Sequence, residues 1–224
     1  MNRIWTYFTA LIGLICVGFI VNLIAVPHQR SISSDIIQGI LIGYGSAFVT
    51  AQVVARVRAT RVNGWTTMLG LGEPRNGFLL RAANAQLFPG PVNSSEEAVY
   101  WWTAVDGAGR TLSGQRNYVV HFPPGGLPPN NAFWSLTMGD SRNRFVPNPL
   151  NRYSVGDRSG LVPNADGSVD VHLRNAAPEG LESNWLPAPT GRFILWLRVY
   201  EPGKAILDGT YRVPPVTAAE VLPR

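Results

Sequence analysis

The sequence has a single cysteine, Cys16, which lies within an uncharged apolar stretch. One cysteine forms no intrachain disulfide and leaves no set of cysteine ligands for a metal centre. Charged residues are scarce as well, at 15% of the 224 residues, against roughly 25% in a typical soluble domain. The shortage of charge predicts that part of the chain does not face water.

Lysine is almost absent. The chain has 19 basic residues, of which Lys204 is the one lysine, against 14 acidic residues, and its formal net charge is +5. A nucleic-acid-binding surface requires basic residues clustered with aromatic ones, whereas these arginines are scattered along the chain. We therefore expect no nucleic-acid partner.

Recognisable catalytic motifs are missing too. There is no Gly-x-Ser-x-Gly nucleophile elbow, since the run GDRSG at 156–160 carries its serine one place late, and there is no glycine-rich phosphate loop. After residue 57 the chain has two histidines, His121 and His172, each on a predicted strand. They could meet across a sheet, but no His-x-His or His-x-x-Glu-His spacing supplies further metal ligands. We expect no metal and no cofactor and assign no catalytic residue, and whether the protein is an enzyme stays open.

Two long apolar segments stand near the N-terminus. Residues 4–26 and residues 36–55 contain no charged residue, and a stretch of roughly 20 apolar residues crosses a bilayer. The sequence therefore predicts a membrane anchor over residues 1–57, with one or two transmembrane helices at about 4–26 and 36–56. Two alternatives remain open: the first segment is a cleaved signal peptide, or the second, which contains Gln38 and Gln52, is a buried helix of a soluble domain.

Small residues occur at every fourth position of the second segment, at Gly39, Gly43 and Ala47. This spacing places them on one helix face, where another helix can approach closely. The pattern predicts either a helical hairpin or a helix-mediated homo-oligomer. The lipid bilayer is the other expected partner.

From residue 58 onward the chain consists of short apolar runs separated by glycine, proline, asparagine and aspartate, which is typical of an all-β domain. Predicted strands lie at 98–105, 118–122, 168–174 and 193–200. In the third, valine and leucine alternate with polar residues, as in a half-buried strand. The fourth is apolar on both faces, as in the middle of a β-sandwich.

Several blocks of this part of the chain resemble the DUF1214 family of bacterial proteins, namely NPLNRYSVGDRSG, NADGSVDVHL, NWLPAPTGRFILWLRVYEP and AILDGTYRVPP in that order. The resemblance covers almost all of residues 63–216. It implies a mainly β fold, a jelly-roll-like antiparallel β-sandwich over residues 58–224, often found at the C-terminal end of longer exported proteins that also carry a DUF1254 domain. The chain is similar to the short, membrane-anchored members without that domain. The resemblance implies no settled activity.

The stretch from residue 132 to residue 160 is the most suggestive of a site. It begins as an apolar strand and continues as a loop rich in asparagine, proline and arginine. Aromatic planes beside amide and guanidinium donors suit a small carbohydrate or an anionic ligand. The candidate ligand-binding residues are Trp134, Arg144, Asn148, Asn151, Arg152, Tyr153 and Asp157. The alternative is that these polar groups satisfy the backbone of a long loop, with Arg152 and Asp157 paired as a structural latch.

These features predict an integral membrane protein of the bacterial inner membrane, with the β domain in the periplasm and a binding or scaffolding role at the cell envelope. The alternative function is an envelope enzyme, a hydrolase or a carbohydrate-modifying protein, that uses the central Asn/Arg/Asp loop with His121 or His172. The family resemblance favours the periplasmic side, whereas the arginines after residue 55 favour the cytoplasmic side.

Overall fold

The computed structural model describes residues 32–77, 80–81, 84–85 and 92–219. The chain divides into two compact units, one formed by residues 1–58 and 71–92, the other by residues 59–70 and 93–224. The second unit carries all the strands described below and is called the β domain here.

The first unit contains a helix over Ile32–Val57, called the long helix below. The sequence predicts this helix at about 36–56, so its existence is confirmed and its start lies somewhat earlier. Over Asp35–Val57 it is long and apolar enough to cross a membrane, a property that core helices of soluble proteins and signal sequences share. The other predicted helix, at about 4–26, lies outside the described residues.

The β domain contains ten described strands in two sheets. The larger sheet has the order β1-β2-β3-β9-β5-β6 and the smaller sheet the order β10-β4-β7-β8. The strands are β1 (Thr60–Val62), β2 (Trp65–Thr67), β3 (Ala98–Thr103), β4 (Tyr118–Phe122), β5 (Asn130–Asp140), β6 (Ser154–Gly156), β7 (Val169–Arg174), β8 (Trp185–Pro187), β9 (Phe193–Pro202) and β10 (Val216–Ala218). A short helix, Lys204–Leu207, follows β9.

The predicted mainly β fold is confirmed, but the sheets are not antiparallel throughout. Strands β7 and β8 run parallel, with His172 opposite Trp185. A tight hairpin would have made the two strands antiparallel. The longer connection between them includes a 3-10 turn at Glu182–Asn184, after which β8 runs in the same direction as β7. The jelly-roll expectation is not confirmed.

The two sheets share one hydrophobic core. Along β7 and most of β9 buried residues alternate with half-buried ones, as expected where one face of a sheet is turned toward the core and the other is not. Rings from the two sheets meet in the core: Phe122 of β4 lies 5.4 Å from Trp134 of β5, and Tyr118 of β4 lies 5.8 Å from Phe193 of β9. This burial is the main stabilising contribution to the domain.

The apolar side chains on the other face of β9 pack against neighbouring strands. Trp196 contacts Trp102 of β3, and Tyr200 stacks on Phe133 of β5 with ring centroids 4.4 Å apart. These cross-strand pairs explain why β9 is apolar on both faces, because it is a central strand with a partner on each side.

Candidate functional site

The loop between β5 and β6, residues 141–153, is called the central loop here. It follows Asp140, the last residue of β5. The Asp140 side chain accepts hydrogen bonds from the backbone N–H groups of Arg142 (2.8 Å) and Arg144 (2.9 Å) and from the guanidinium of Arg144 (2.8 and 3.0 Å). These bonds, first of all the one from the Arg144 backbone, hold the pKa of Asp140 below its usual value. Asp140 therefore braces the start of the loop.

Asn148 braces the second half of the central loop. Its Oδ1 accepts from the backbone N–H groups of Leu150 (3.2 Å) and Arg152 (3.0 Å), and its Nδ2 donates to the carbonyl oxygen of Arg152 (3.0 Å). Asn151 has a left-handed backbone, with φ +48°, a conformation that asparagine tolerates better than most residues. The amide of Asn148 is thus hydrogen-bonded to the backbone within the loop.

Arg152 joins the central loop to the edge of the other sheet. Its Nη1 donates to the carbonyl oxygens of Glu182 (2.6 Å) and Trp185 (2.9 Å), which lie just before and at the start of β8. Strand β6, to which the loop leads, belongs to the larger sheet. Arg152 is therefore a link between elements of the two sheets.

The predicted pair of Arg152 with Asp157 is not formed. The Asp157 carboxylate accepts instead from the backbone N–H of Trp134, at 3.4 Å. Strand β6 lies between the two residues, and Arg152 Nη1 is bonded to carbonyl oxygens next to β8 instead. Arg152 is a latch, but its partners are backbone carbonyls of another segment.

The two predicted aromatic surfaces differ in exposure. Trp134 is 2% exposed and packs in the core, so it offers no face to a ligand. Tyr153 is half-buried and stacks on Phe145, with ring centroids 5.1 Å apart. Of this predicted pair, only Tyr153 lies near the surface.

A small depression brings together part of the predicted site. It is lined by Met138, Gly139, Val146, Asn148, Arg152, Tyr153, Pro187 and Pro189. Trp134, Arg144, Asn151 and Asp157 are not among its lining residues. Its volume is about 10 Å³, which is roughly the space that one water molecule needs. A sugar ring would require the central loop to move.

A second polar cluster lies on the outer face of the smaller sheet. His121 Nδ1 is 2.7 Å from Asp170 Oδ1, and Asn164 donates to the other oxygen of Asp170 at 2.9 Å. The register places His121 opposite Asp170 and His172 opposite Val119, so both histidines share this face. Burial, the largest influence, lowers the pKa of His172.

This arrangement was only partly accessible from the sequence. The alternation of Asp170 and His172 with buried residues predicts that they share a face, but the pairing of β4 with β7 is what brings His121 to Asp170. Within the ranges that the structure describes, no group of three or more His, Cys, Asp or Glu side chains is placed to hold a metal ion.

Residues 97–204 match the model of a known family, DUF1214, which is described as a protein of unknown function. Residues 97–204 form a DUF1214 domain. It includes β3 to β9, and therefore the central loop, the depression and the His121–Asp170 cluster. The expected family is confirmed.

Two solved structures resemble the chain. The VPA0106 protein from Vibrio parahaemolyticus aligns with a TM-score of 0.64 and 22% identity over 87% of this chain and 47% of its own. A putative uncharacterized protein from Burkholderia cenocepacia aligns with a TM-score of 0.45 and 18% identity, over 88% of this chain and 46% of its own. The first likeness shows the fold, and this chain spans about half the length of either protein. No curated protein matches the chain.

Proposed function

We propose that the protein is anchored in a membrane of the cell envelope by the long helix and that its DUF1214 domain is a binding or scaffolding module. The observation that carries the anchor is the exposure of large apolar side chains on the helix, with Ile40 64%, Tyr44 67% and Val57 77% exposed. Apolar area in water is unfavourable by roughly 25 cal/mol per Å². Lipid around the helix would remove that cost.

A binding or scaffolding role is supported by the central loop. Its polar side chains brace the loop itself or fasten it to β8, as Asn148 and Arg152 do. A braced loop presents a fixed surface, which favours recognition. A small carbohydrate or an anionic ligand at the surface formed by Arg144, Asn148, Asn151, Arg152, Tyr153 and Asp157 stays part of the proposal, and only a sugar ring seated in the depression would require the loop to open.

Cysteine labelling tests the anchor at the long helix itself. Replacing Cys16 with serine leaves a chain without cysteine. Two single-cysteine variants are made from it: Ile40→Cys on the long helix, and Thr217→Cys on the β domain as the exposed control. In native membranes opened to both sides, we expect a membrane-impermeant maleimide to label position 217 and to leave position 40 unlabelled until detergent is added. Labelling of both positions before detergent would contradict the anchor, as would release of the chain by alkaline carbonate.

Periplasmic sidedness and self-association belong to the same proposal. A C-terminal reporter active only after export tests the side of the membrane, and activity of a cytoplasmic reporter would contradict it.

For self-association, nothing lies within 4 Å of a Cβ built at Gly39 or Gly43, whereas Ala47 is already buried. The open part of the predicted helix face is therefore at the two glycines, and Gly39→Cys should form an intermolecular disulfide in membranes if a second copy packs there.

The alternative function, an envelope enzyme, has one observation in its favour. The His121–Asp170 contact orients an imidazole that is 55% exposed, and a carboxylate-oriented histidine is a common general base. The test is hydrolysis of a panel of ester and glycoside substrates by the purified protein. Activity that is lost in His121→Gln but kept in His172→Gln would support this alternative, and no activity in the parent would contradict it.

A further inference from the structure

The central loop carries apolar side chains that face solvent. Phe145 is 62% exposed and Leu150 is 47% exposed. Phe145 has the largest exposure of any large apolar side chain described in the β domain, and its ring stacks on Tyr153. Single exposed apolar side chains are ordinary, but contiguous apolar area marks contact sites for lipid or protein, and the stacked rings of Phe145 and Tyr153 form such a contiguous area.

The loop backbone explains why these side chains do not turn inward. Asp140 holds the backbone at Arg142 and Arg144, and Asn148 holds it at Leu150 and Arg152. Phe145 lies between the two braces and Leu150 within the second. Any movement of the loop backbone that turned these side chains inward would break several of these hydrogen bonds, each worth about 1 kcal/mol. The exposure of Phe145 and Leu150 is therefore a property of the braced loop.

The same segment is cationic. Residues 140–153 contain three arginines and one aspartate, Asp140, which gives a formal charge of +2. Asp140 is engaged by Arg144. Arg142 is exposed, and its guanidinium makes no hydrogen bond or ion pair to the described part of the chain. One positive charge is thus free beside the exposed phenylalanine.

Exposed aromatic and aliphatic side chains beside arginine match the interfacial region of an anionic bilayer. The apolar groups enter the boundary between head groups and acyl chains, while each basic side chain near the surface gains about 1 kcal/mol from the lipid charge. A specific protein partner instead needs about 800 Å² on each side, more than two isolated side chains supply. The charge and the narrow apolar tip therefore favour lipid.

We infer that the central loop is a second membrane-contact site, which inserts Phe145 and Leu150 into the interface of an anionic bilayer while Arg142 binds lipid phosphate. This inference rests on the proposed membrane location. It makes the outer surface of the central loop, and not the depression beneath it, the part that meets a ligand.

The test uses the full chain in lipid nanodiscs. In a Cys16→Ser background, Leu150→Cys takes one nitroxide label, and Leu207→Cys gives a matched label at another exposed apolar position of the β domain. Electron paramagnetic resonance measures collisions of each label with a water-soluble nickel chelate and with oxygen, which concentrates in lipid. We compare discs of zwitterionic lipid with discs of phosphatidylglycerol. In phosphatidylglycerol we expect the label at position 150 to collide several-fold less often with nickel and more often with oxygen, and the label at position 207 to show no change.

Charge reversal supplies the matched comparison. Arg142→Glu removes the free charge without touching the brace, because only the backbone of Arg142 bonds to Asp140. Arg116→Glu makes the same change at another exposed arginine. We expect the first variant to abolish the shielding of the label at position 150 and the second to keep it.

Several outcomes overturn the inference. One is a label at position 150 that collides with nickel equally in both lipids. A second is protection of this label from nickel that persists in Arg142→Glu, and a third is protection that increases with the number of copies per disc. Both would indicate a protein partner. If the Ile40→Cys position is protected by lipid while the label at 150 is not, the inference fails and the anchor stands; if position 40 is unprotected, both fail.

Discussion

Polar residues of the DUF1214 domain act largely as hydrogen-bond partners of the backbone. Asp140 and Asn148 each accept two N–H groups of the central loop, and Arg152 donates to carbonyls next to β8. Asp, Asn and Arg have this use wherever a long loop leaves backbone groups without a strand partner. The residues that attract attention in the sequence therefore stabilise the loop first.

Replacing Arg152 with alanine tests its role as a latch. The carbonyls of Glu182 and Trp185 lose their donor, and we expect the free energy of unfolding to fall by about 1–3 kcal/mol. Chemical denaturation of the detergent-solubilised protein measures this. Asp157→Ala is the comparison, with a smaller expected loss because its bond to Trp134 is 3.4 Å long. In the double variant the two losses of unfolding free energy should add. A strongly non-additive loss would show that Arg152 and Asp157 interact directly, as the sequence predicts.

Asp106 gives a pH-dependent prediction. Its carboxylate is 1% exposed; burial raises its pKa, but hydrogen bonds from the Arg110 backbone and side chain and from Ala108 outweigh burial and hold the pKa below the usual value. A lowered pKa contributes stability above the unfolded-state value of about 3.9, and this contribution is lost as the pH falls through the folded-state pKa. The carboxylate is therefore stabilising at neutral pH.

We expect Asp106→Asn to be less stable than the parent by about 1–3 kcal/mol at pH 7. The difference should shrink as the pH falls below about 4, because the parent then loses its charged acceptor as well. Urea denaturation at pH 7, 5 and 3 measures it. A difference that is constant over this range would show that the Asp106 charge contributes nothing.

At the scale of secondary-structure elements, β9 lies in the centre of the larger sheet between β3 and β5, and β6 is a three-residue strand at the edge, next to β5. The edge pairs closely with β5: a Cβ at Gly156 would lie 2.1 Å from the carbonyl oxygen of Trp134. No side chain fits at that distance. The glycine is thus required for β6 to join the sheet, and β6 in turn holds the end of the central loop.

Gly156→Ala is expected to weaken or detach β6. The clash is with backbone, which cannot rotate away, so a loss of about 2 kcal/mol or more is expected. Gly191→Ala is the control, since nothing lies within 4 Å of its added Cβ. Thermal denaturation should show a clear fall in Tm for the first variant and little change for the second. Equal melting temperatures would mean that β6 shifts to accommodate the methyl group.

For the β domain as a whole, stability depends on contact between the two sheets. Strands β4 and β5 follow one another in the sequence but belong to different sheets, and Phe122 and Trp134 join them across the core. Trp134, a candidate ligand surface in the sequence, is one of the buried side chains that hold the sheets together. Trp134 therefore belongs to the core and not to the surface of the central loop.

Phe122→Ala is expected to destabilise the β domain by about 3–5 kcal/mol, because it removes a fully buried ring and leaves a cavity between the sheets. Leu127→Ala, at a 38% exposed position nearby in the sequence, should cost far less. Near-ultraviolet circular dichroism during denaturation reports the packing of the aromatic core. A small effect of Phe122→Ala would show that the sheets pack independently of this ring.

The sequence alone determined the features that depend on local pattern. Uncharged length predicted the long helix, alternation predicted β7, and the apolar run predicted β9, because these signals lie within a few neighbouring residues. The block order predicted the DUF1214 domain. Only the tertiary structure decided that β8 lies parallel to β7, that His121 meets Asp170, and that Arg152 bonds to carbonyls at Glu182 and Trp185. The partners in these contacts are 13 to 49 residues apart in the chain, and such contacts follow from which strands pair and where a loop crosses, which no local pattern encodes.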